Sequence, residues 1–257
     1  MGKDADYHKR PEWSYSSMKV ILDSGIDYAV ALKEGLLEKT YGKAVDVGSL
    51  AHMIVLGGDD CYSLSPYSDF RSKEARNWRD EQIENGKTII TQSEFEAVTH
   101  IVTNIENHPH SKKYLLGDGW KHEVEMYAKT SNGVDIRGKA DAIKVAGDSL
   151  TITDIKTTAK FDDFKKRAFW NHYDLQAAVY TMIGSASNKI SPSFTNYYFC
   201  VAETVEPYRV QFLHASLEFV ENGERKLSTC VEEIKNFGDK KPNFLIEEVE
   251  EIGDYSL

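Results

Sequence analysis

Apolar residues recur at intervals of three and four along the first half of the chain, which is the spacing of one face of a helix. Serines at 14–17 precede the first such stretch and are expected to cap a helix that ends near residue 24. Further helices are predicted over residues 27–38, 44–56, 72–85, 93–108 and 111–116. Residues 13–118 are therefore expected to be mostly helical, behind a mobile leader at residues 1–12.

From residue 121 the period changes to two, the spacing of a half-buried strand. Three strands in an antiparallel meander are predicted over 122–129, 133–143 and 150–156, joined by turns near Gly133 and Gly147. A long helix is predicted over 161–183, and strands over 194–202 and 208–213 precede a helix over 216–237. Residues 61–69 are predicted to form a polar connection.

This order of elements predicts an α/β fold, of the α+β type, with a central mixed sheet flanked by helices. Residues 13–257 are expected to form one domain. Its parts would be the helical region, the sheet and its helix at 119–215, and a C-terminal helix and tail at 216–257.

Composition excludes some classes of protein. A net charge of −10 over 257 residues argues against a continuous basic surface, although it does not exclude a local basic patch. No run of about 18 apolar residues is present, so no membrane span is expected. The N-terminus lacks the apolar segment of a signal peptide. Cys61, Cys200 and Cys230 are scattered without metal-ligand spacing, which suits a reducing cytoplasm.

Candidate chemistry lies on the second and third strands of the meander, near Asp141 and Asp154. Hairpin-linked strands that each carry a carboxylate can hold a divalent cation, which offsets the repulsion between the acids. Lys156 shares a face with Asp154, because strand side chains alternate. A lysine there could orient or help deprotonate a water molecule, or stabilise charge on a phosphate.

Two other polar features have more than one reading. His52 lies in the apolar stretch 44–56 and is either a core residue or a metal ligand. The small residues Gly48 and Ser49 would allow that helix to approach a sheet closely. The basic residues of 71–79 form either a solvated helix face or a phosphate-facing edge; they are Arg71, Lys73, Arg76 and Arg79.

Asp141 followed by Asp154-Ile155-Lys156 resembles the PD-(D/E)XK nuclease pattern, with Ala140 at the position of the proline. Further segments resemble motifs of the RecB-type branch. They are Gly48 to His52 (G-x-x-x-H), Gly138 to Asp141 (G-x-x-D), Asp154 to Thr157 (D-x-K-T) and Gln176 to Tyr180 (Q-x-x-x-Y). The Ser14-x-Ser16 start and the segment around Glu203 and Pro207 resemble RecE (exonuclease VIII)-like phage and prophage exonucleases. The likeness spans roughly residues 13–237.

The resemblance implies a Mg²⁺-dependent exonuclease, with Mn²⁺ as a substitute, that digests the 5′ strand from double-stranded DNA ends. The 3′ single strands that remain would serve recombination by annealing. The resemblance assigns His52, Asp141, Asp154 and the backbone carbonyl of Ile155 as metal ligands. It makes Lys156 the catalytic lysine and gives Gln176 and Tyr180 the task of organising the substrate or the lysine. Either Glu123 or Glu125 would supply a further acid.

The partners that the resemblance implies are DNA ends, a RecT-like single-strand annealing protein and further copies of the chain in a trimeric or tetrameric ring. DNA contacts would come from basic residues that follow the catalytic strand, unless these form a solvated helix edge; they are Lys160, Lys165, Lys166 and Arg167. Two alternatives remain open. One is a Cas4-like nuclease, which would carry four cysteines for an iron–sulfur cluster. The other is a DNA-end-binding module without catalysis. The chain corresponds to the nuclease portion of the longer RecE pattern.

Overall fold

The computed structural model describes residues 7, 10–37, 47–57 and 62–244. Most of the predicted leader, the start of the predicted helix at 44–56, Cys61 and the tail after residue 244 lie outside these described residues.

A six-stranded mixed sheet forms the centre of the fold, as the sequence predicts. Its strands are β1 (Trp13–Ser14), β4 (Lys121–Lys129), β5 (Asp135–Ala146), β6 (Ser149–Thr158), β7 (Thr195–Glu203) and β8 (Val210–His214). The predicted meander is confirmed, because β4, β5 and β6 pair antiparallel in sequence order. β6 and β7 run parallel, and β8 returns antiparallel along β7. The short β1 lies parallel beside the start of β5.

Helices cover both faces of this sheet. They are α1 (Tyr15–Ser24), α2 (Ile26–Lys33), α3 (Val47–Val55), α4 (Lys73–Glu84), α5 (Gln92–Asn107), α6 (Phe164–Trp170), α7 (Tyr173–Asn188) and α8 (Leu217–Phe237). A π-helical turn occupies Lys112–Leu116, and a 3₁₀ turn occupies Pro192–Phe194. Ser14 caps α1 by accepting a hydrogen bond from the Ser17 amide, so its predicted capping role is confirmed.

The two faces of the sheet bury separate apolar cores. One core lies under α1, α7 and α8 and includes Leu150 and Ile152. The other lies under α3 and α5 and includes Ile155. Alternation along β6 sends even-numbered side chains to the first core and odd-numbered ones to the second. In the described part of the chain, no helix is both long and apolar enough to cross a membrane.

The prediction of a single helix over 161–183 is wrong. α6 ends at Trp170, and His172 has a left-handed backbone with φ of 56° before α7 begins. Long-range contacts fix this break: the Tyr15 hydroxyl donates to the Asn171 carbonyl at 2.8 Å, and Lys226 Nζ lies 3.0 Å from His172 Nδ1. The apolar period does not reveal the break, because the buried positions of the two helices follow one uninterrupted period along the sequence.

The predicted end of that helix at residue 183, before Gly184, is also wrong, since α7 continues to Asn188. Gly184 does not end the helix there, but allows a close contact. A Cβ at this position would lie 2.8 Å from Ile152 Cδ1, so the missing side chain lets α7 pack tightly on β6.

The sequence predicted that residues 61–69 form only a polar connection, and this prediction is wrong in part. β2 (Tyr62–Leu64) pairs parallel with β3 (Thr88–Ile90) in a separate two-stranded sheet. Each strand has only three residues, which is too short for a period of two to be recognised. Parallel strands need a crossover connection, and α4 lies in the connection between these two.

Candidate active site

The β5–β6 hairpin brings the two predicted carboxylates together. Its ladder includes the pair Ala142↔Thr153, and Asp141 and Asp154 are the next residues on the two strands. The Ile155 amide donates to Asp141 Oδ2 at 2.7 Å, which fixes that carboxylate against β6. Both side chains are largely removed from solvent, with 13% of Asp141 and 6% of Asp154 exposed.

His52 reaches this hairpin from α3, on the opposite side from α7. Its Nε2 atom lies 2.9 Å from Asp141 Oδ2. Gly48 makes the approach possible, since a Cβ there would lie 2.1 Å from Thr157 Oγ1 on β6. The expectation that a small residue lets this helix approach the sheet is therefore confirmed. His52 follows one helical turn later and lies over the site.

Glu123 completes a group of three possible metal ligands. The pairs His122↔Ala142 and Val124↔Ala140 place it opposite Asp141. One ligand atom from each of His52, Glu123 and Asp141 lies within 4.8 Å of the others. Glu123 has φ of 54°, an uncommon backbone for a residue with a side chain, and such strain is often concentrated at functional sites.

The sequence left open whether Glu123 or Glu125 supplies the further acid, and the structure places the two glutamates differently. Glu123 lies in the ligand group, and Lys139 Nζ contacts its carboxylate. Glu125 instead accepts a hydrogen bond from the Tyr127 hydroxyl at 2.5 Å. Strand alternation would place both glutamates on one face, so the left-handed backbone of Glu123 is the feature that separates them.

Lys156 and Gln176 both contact Asp154. Lys156 Nζ lies 2.6 Å from Asp154 Oδ2 and 4.7 Å from the centre of the Tyr173 ring. Gln176, from α7, donates through Nε2 to Asp154 Oδ1 at 2.6 Å. Tyr180, one turn further along α7, donates instead to the Lys139 carbonyl on β5 at 3.1 Å. α7 thus holds the Asp154 carboxylate on β6 through Gln176 and the backbone of β5 through Tyr180.

Burial and mutual charge shift the pKa values of these groups. Burial and the nearby Asp141 raise the pKa of Asp154 to about 6, although Lys156 acts in the opposite direction. Burial also raises the pKa of Asp141, but His52 and Lys156 outweigh it and hold the pKa below its ordinary value. Asp141 therefore ionises readily, whereas the neighbouring Asp154 resists ionisation.

The two basic groups are both shifted toward their charged forms. Burial lowers the pKa of Lys156, but the charges of Asp154 and Asp141 raise it above its ordinary value. Burial lowers the pKa of His52 as well, and the hydrogen bond and charge of Asp141 more than compensate. Lys156 is therefore an ammonium group at neutral pH, and it is better suited to stabilise negative charge than to accept a proton.

A cavity of about 620 Å³ opens beside the ligand group. Its lining includes His52, Glu123, Asp141 and two cationic residues that the sequence analysis did not select, Arg137 and Lys139. Because Arg137 lies four positions and Lys139 two positions before Asp141 on β5, the period of two could have identified them. The predicted DNA-contacting residues are not among those that line this cavity: Lys160 follows β6, and Lys165, Lys166 and Arg167 are exposed on α6.

The donor set fits a divalent cation. Carboxylate oxygens and an imidazole nitrogen are ligands for several divalent metals, and the three candidate ligands already converge. Cationic partners of these acids, at His52, Lys139 and Lys156, offset the repulsion that the grouped carboxylates would otherwise suffer. Asp154 lies next to this group and is held by Lys156 and Gln176.

A mixed sheet whose central hairpin joins Asp141, Asp154 and Lys156, with a helix-borne histidine beside them, defines the PD-(D/E)XK nuclease class. Within that class, the chain belongs to the family described as a PDDEXK-like domain of unknown function (DUF3799), whose pattern matches residues 14–243.

A solved structure from Eubacterium rectale, titled "Putative exonuclease", has a similar fold. It is 16% identical, with 98% of this chain and 93% of that chain covered and a TM-score of 0.63. A second structure, of a protein titled SSO0001, is 13% identical over 79% of this chain and 84% of that chain. Its TM-score of 0.30 is too low to support an argument. Among curated proteins, no sequence match is found.

Proposed function

We propose that this protein is a Mg²⁺-dependent exonuclease that digests the 5′ strand from double-stranded DNA ends and leaves 3′ single strands. The observation that carries the proposal is the convergence of His52, Glu123 and Asp141 within 4.8 Å, beside the Asp154–Lys156 pair. A bound divalent ion would supply Lewis-acid stabilisation and an activated water at this position.

The chain's own groups have distinct tasks in the proposed reaction. His52, Asp141 and Glu123 would hold the metal together with Asp154 and the carbonyl of Ile155. Lys156, kept as an ammonium by Asp154 and Asp141, would stabilise the negative charge that develops on the attacked phosphate. Gln176 would position Asp154 through its 2.6 Å hydrogen bond, and Tyr180 would hold β5 in place.

The proposal is tested by incubating linear duplex DNA and covalently closed circular DNA with the protein and Mg²⁺ or Mn²⁺. Loss of the linear DNA alone is expected, with duplexes labelled at the 5′ end losing their label first. Asp154→Asn and addition of EDTA should each prevent digestion. Survival of the linear DNA with both metals would falsify the nuclease proposal, and early loss of a 3′ label would reverse the polarity.

The biological setting is also part of the proposal. It places the enzyme in a bacterial cytoplasm, as a ring of three or four copies that passes its single-stranded product to a RecT-like annealing protein. The resemblance to RecE-like exonucleases supports this setting. Light scattering measures the number of copies, and co-purification with an annealing protein tests the partner.

The Cas4-like alternative receives no support from the described cysteines. Cys200 lies in the apolar core beneath α3 and α5, whereas Cys230 lies in the core beneath α7 and α8. Two thiols buried on opposite faces of the sheet cannot ligate one iron–sulfur cluster. A binding module without catalysis would need no charged lysine beside Asp154, and that lysine is present.

A further inference from the structure

The outer face of α6 combines basic and aromatic side chains. Phe164 and Ala168 point into the core, and the remaining face is exposed. We call this face the α6 platform; its residues are Lys165, Lys166, Arg167, Phe169 and Trp170. Large apolar side chains on a monomer's surface are informative when they are grouped, and here two of them adjoin three cations.

The charge of the α6 platform differs from that of the whole chain. The protein carries a net charge of −10, yet three successive residues here are basic. Within the part of the chain that the structure describes, none of Lys165, Lys166 and Arg167 forms an ion pair with an acid. The nearby Asp162 is already engaged by Arg209 at 2.9 Å. The platform is therefore complementary to an anionic chain.

Its two aromatic residues have different surroundings. Phe169 packs edge-on against Phe219, with ring centres 5.1 Å apart, and is thereby held in place. Trp170 is 65% exposed, and Lys166 Nζ lies 4.9 Å from the centre of its ring. The indole thus presents an open aromatic surface whose neighbour is a cation.

The α6 platform lies next to the catalytic cavity. The Asn171 carbonyl, directly after Trp170, accepts the hydrogen bond of Tyr15, and Tyr15 lines the cavity with His52 and Asp141. Three residues after Trp170, the Tyr173 ring lies 4.7 Å from the ammonium of Lys156. These two contacts place the C-terminal end of α6 near the residues of the candidate site.

We infer that Trp170 stacks on a base of an unpaired nucleic acid strand, while Lys165, Lys166 and Arg167 hold its phosphates. An aromatic face recognises unpaired bases, since the bases of a duplex are already stacked on one another. The inference rests on the proposed function for the kind of partner, and it adds that the single-stranded part of the substrate is held at α6.

The test is fluorescence anisotropy with a labelled single-stranded 20-nucleotide DNA in EDTA, so that binding is measured without cleavage. Trp170→Ala is expected to weaken binding about 10-fold, as loss of one stacked base predicts. Trp170→Phe should restore most of the affinity because it keeps an aromatic face. Phe194→Ala is the matched control: Phe194 is 58% exposed and lies before β7, at the opposite end of that strand from the site.

The outcomes separate this inference from the proposed nuclease activity. If Trp170→Ala binds the oligonucleotide as tightly as the wild type, or if the wild type does not bind it, the inference is wrong even where DNA is digested. If Trp170→Ala changes only the molecular mass measured by light scattering, the α6 platform is a contact between protein chains, and the inference is again wrong. Trp170-dependent binding without digestion supports the inference and contradicts the nuclease proposal.

Discussion

At the scale of single residues, Lys156 shows how the site controls charge. Two carboxylates raise its pKa against the effect of burial, so the group remains an ammonium at neutral pH. Its place two positions after Asp154 was predictable, because side chains two apart on a strand share a face. Asp154 raises its pKa most, and Asp141, which comes from another strand, raises it further.

Replacement of Lys156 tests this assignment. Lys156→Met keeps the length of the side chain and removes its charge, and we expect digestion of linear DNA to fall by at least about 100-fold. Lys121→Met, on the exposed start of β4, is the matched control and should retain activity. Initial rates with Mn²⁺ measure both variants, and near wild-type activity of Lys156→Met would remove the lysine from the mechanism.

The two glutamates of β4 provide a second test at this scale. Glu123→Gln removes a charged oxygen from the ligand group, and we expect it to weaken Mn²⁺ binding by about 10-fold or more. Glu125→Gln should leave Mn²⁺ affinity within about 2-fold, because this carboxylate is hydrogen-bonded to Tyr127 instead. Electron paramagnetic resonance of free Mn²⁺ gives both affinities, and equal losses would contradict the separation of the two residues.

At the scale of elements, the position of α3 depends on one missing side chain. Gly48 lets the helix contact Thr157 on β6, and this contact places His52 beside Asp141. The apolar period predicts the helix, but it does not state which strand the helix approaches. The glycine could be identified as a contact point from the sequence, whereas the partner strand came from the tertiary structure.

Gly48→Ala should separate α3 from β6. A Cβ at 2.1 Å from Thr157 Oγ1 cannot be accommodated in place, so we expect a loss of about 1–3 kcal/mol of stability and weaker metal binding through His52. Thr103→Ala, on the exposed side of α5, is the control and should change neither quantity. Urea unfolding and Mn²⁺ titration measure the two effects; full metal affinity in Gly48→Ala would show that His52 does not depend on this contact.

The break between α6 and α7 is one of the features that the sequence analysis missed. A continuous apolar pattern predicted one helix, because the period describes which side is buried and carries no information about direction changes. The left-handed residue at the break is His172, which has no intrinsic preference as strong as that of glycine. Its conformation is held by residues more than 50 positions away in sequence, including Lys226.

At the scale of the whole molecule, the ligand group links separate parts of the fold. His52 comes from the helical region that covers one core, and Glu123 and Asp141 come from the sheet between the two cores. A cation bound by all three side chains would tie these parts together in the folded state only. Metal binding and global stability are therefore expected to be coupled.

A thermal unfolding series tests this coupling. Mn²⁺ at 100 times its dissociation constant should add roughly 2.7 kcal/mol of stability. For a chain of this size the midpoint should rise by about 5–10 °C. The shift should disappear in Asp141→Asn and persist in Lys121→Met, since only the first change removes a ligand. An equal shift in both variants would place the bound cation elsewhere on the protein.

The sequence by itself determined the meander, the hairpin that carries Asp141 and Asp154, and the face that Asp154 shares with Lys156. These features are local, because strand periodicity and turn residues fix them over short distances along the chain. The tertiary structure decided which glutamate joins the ligand group, where α6 ends and which strand α3 approaches. Each of these depends on contacts between residues far apart in sequence, which no local period records.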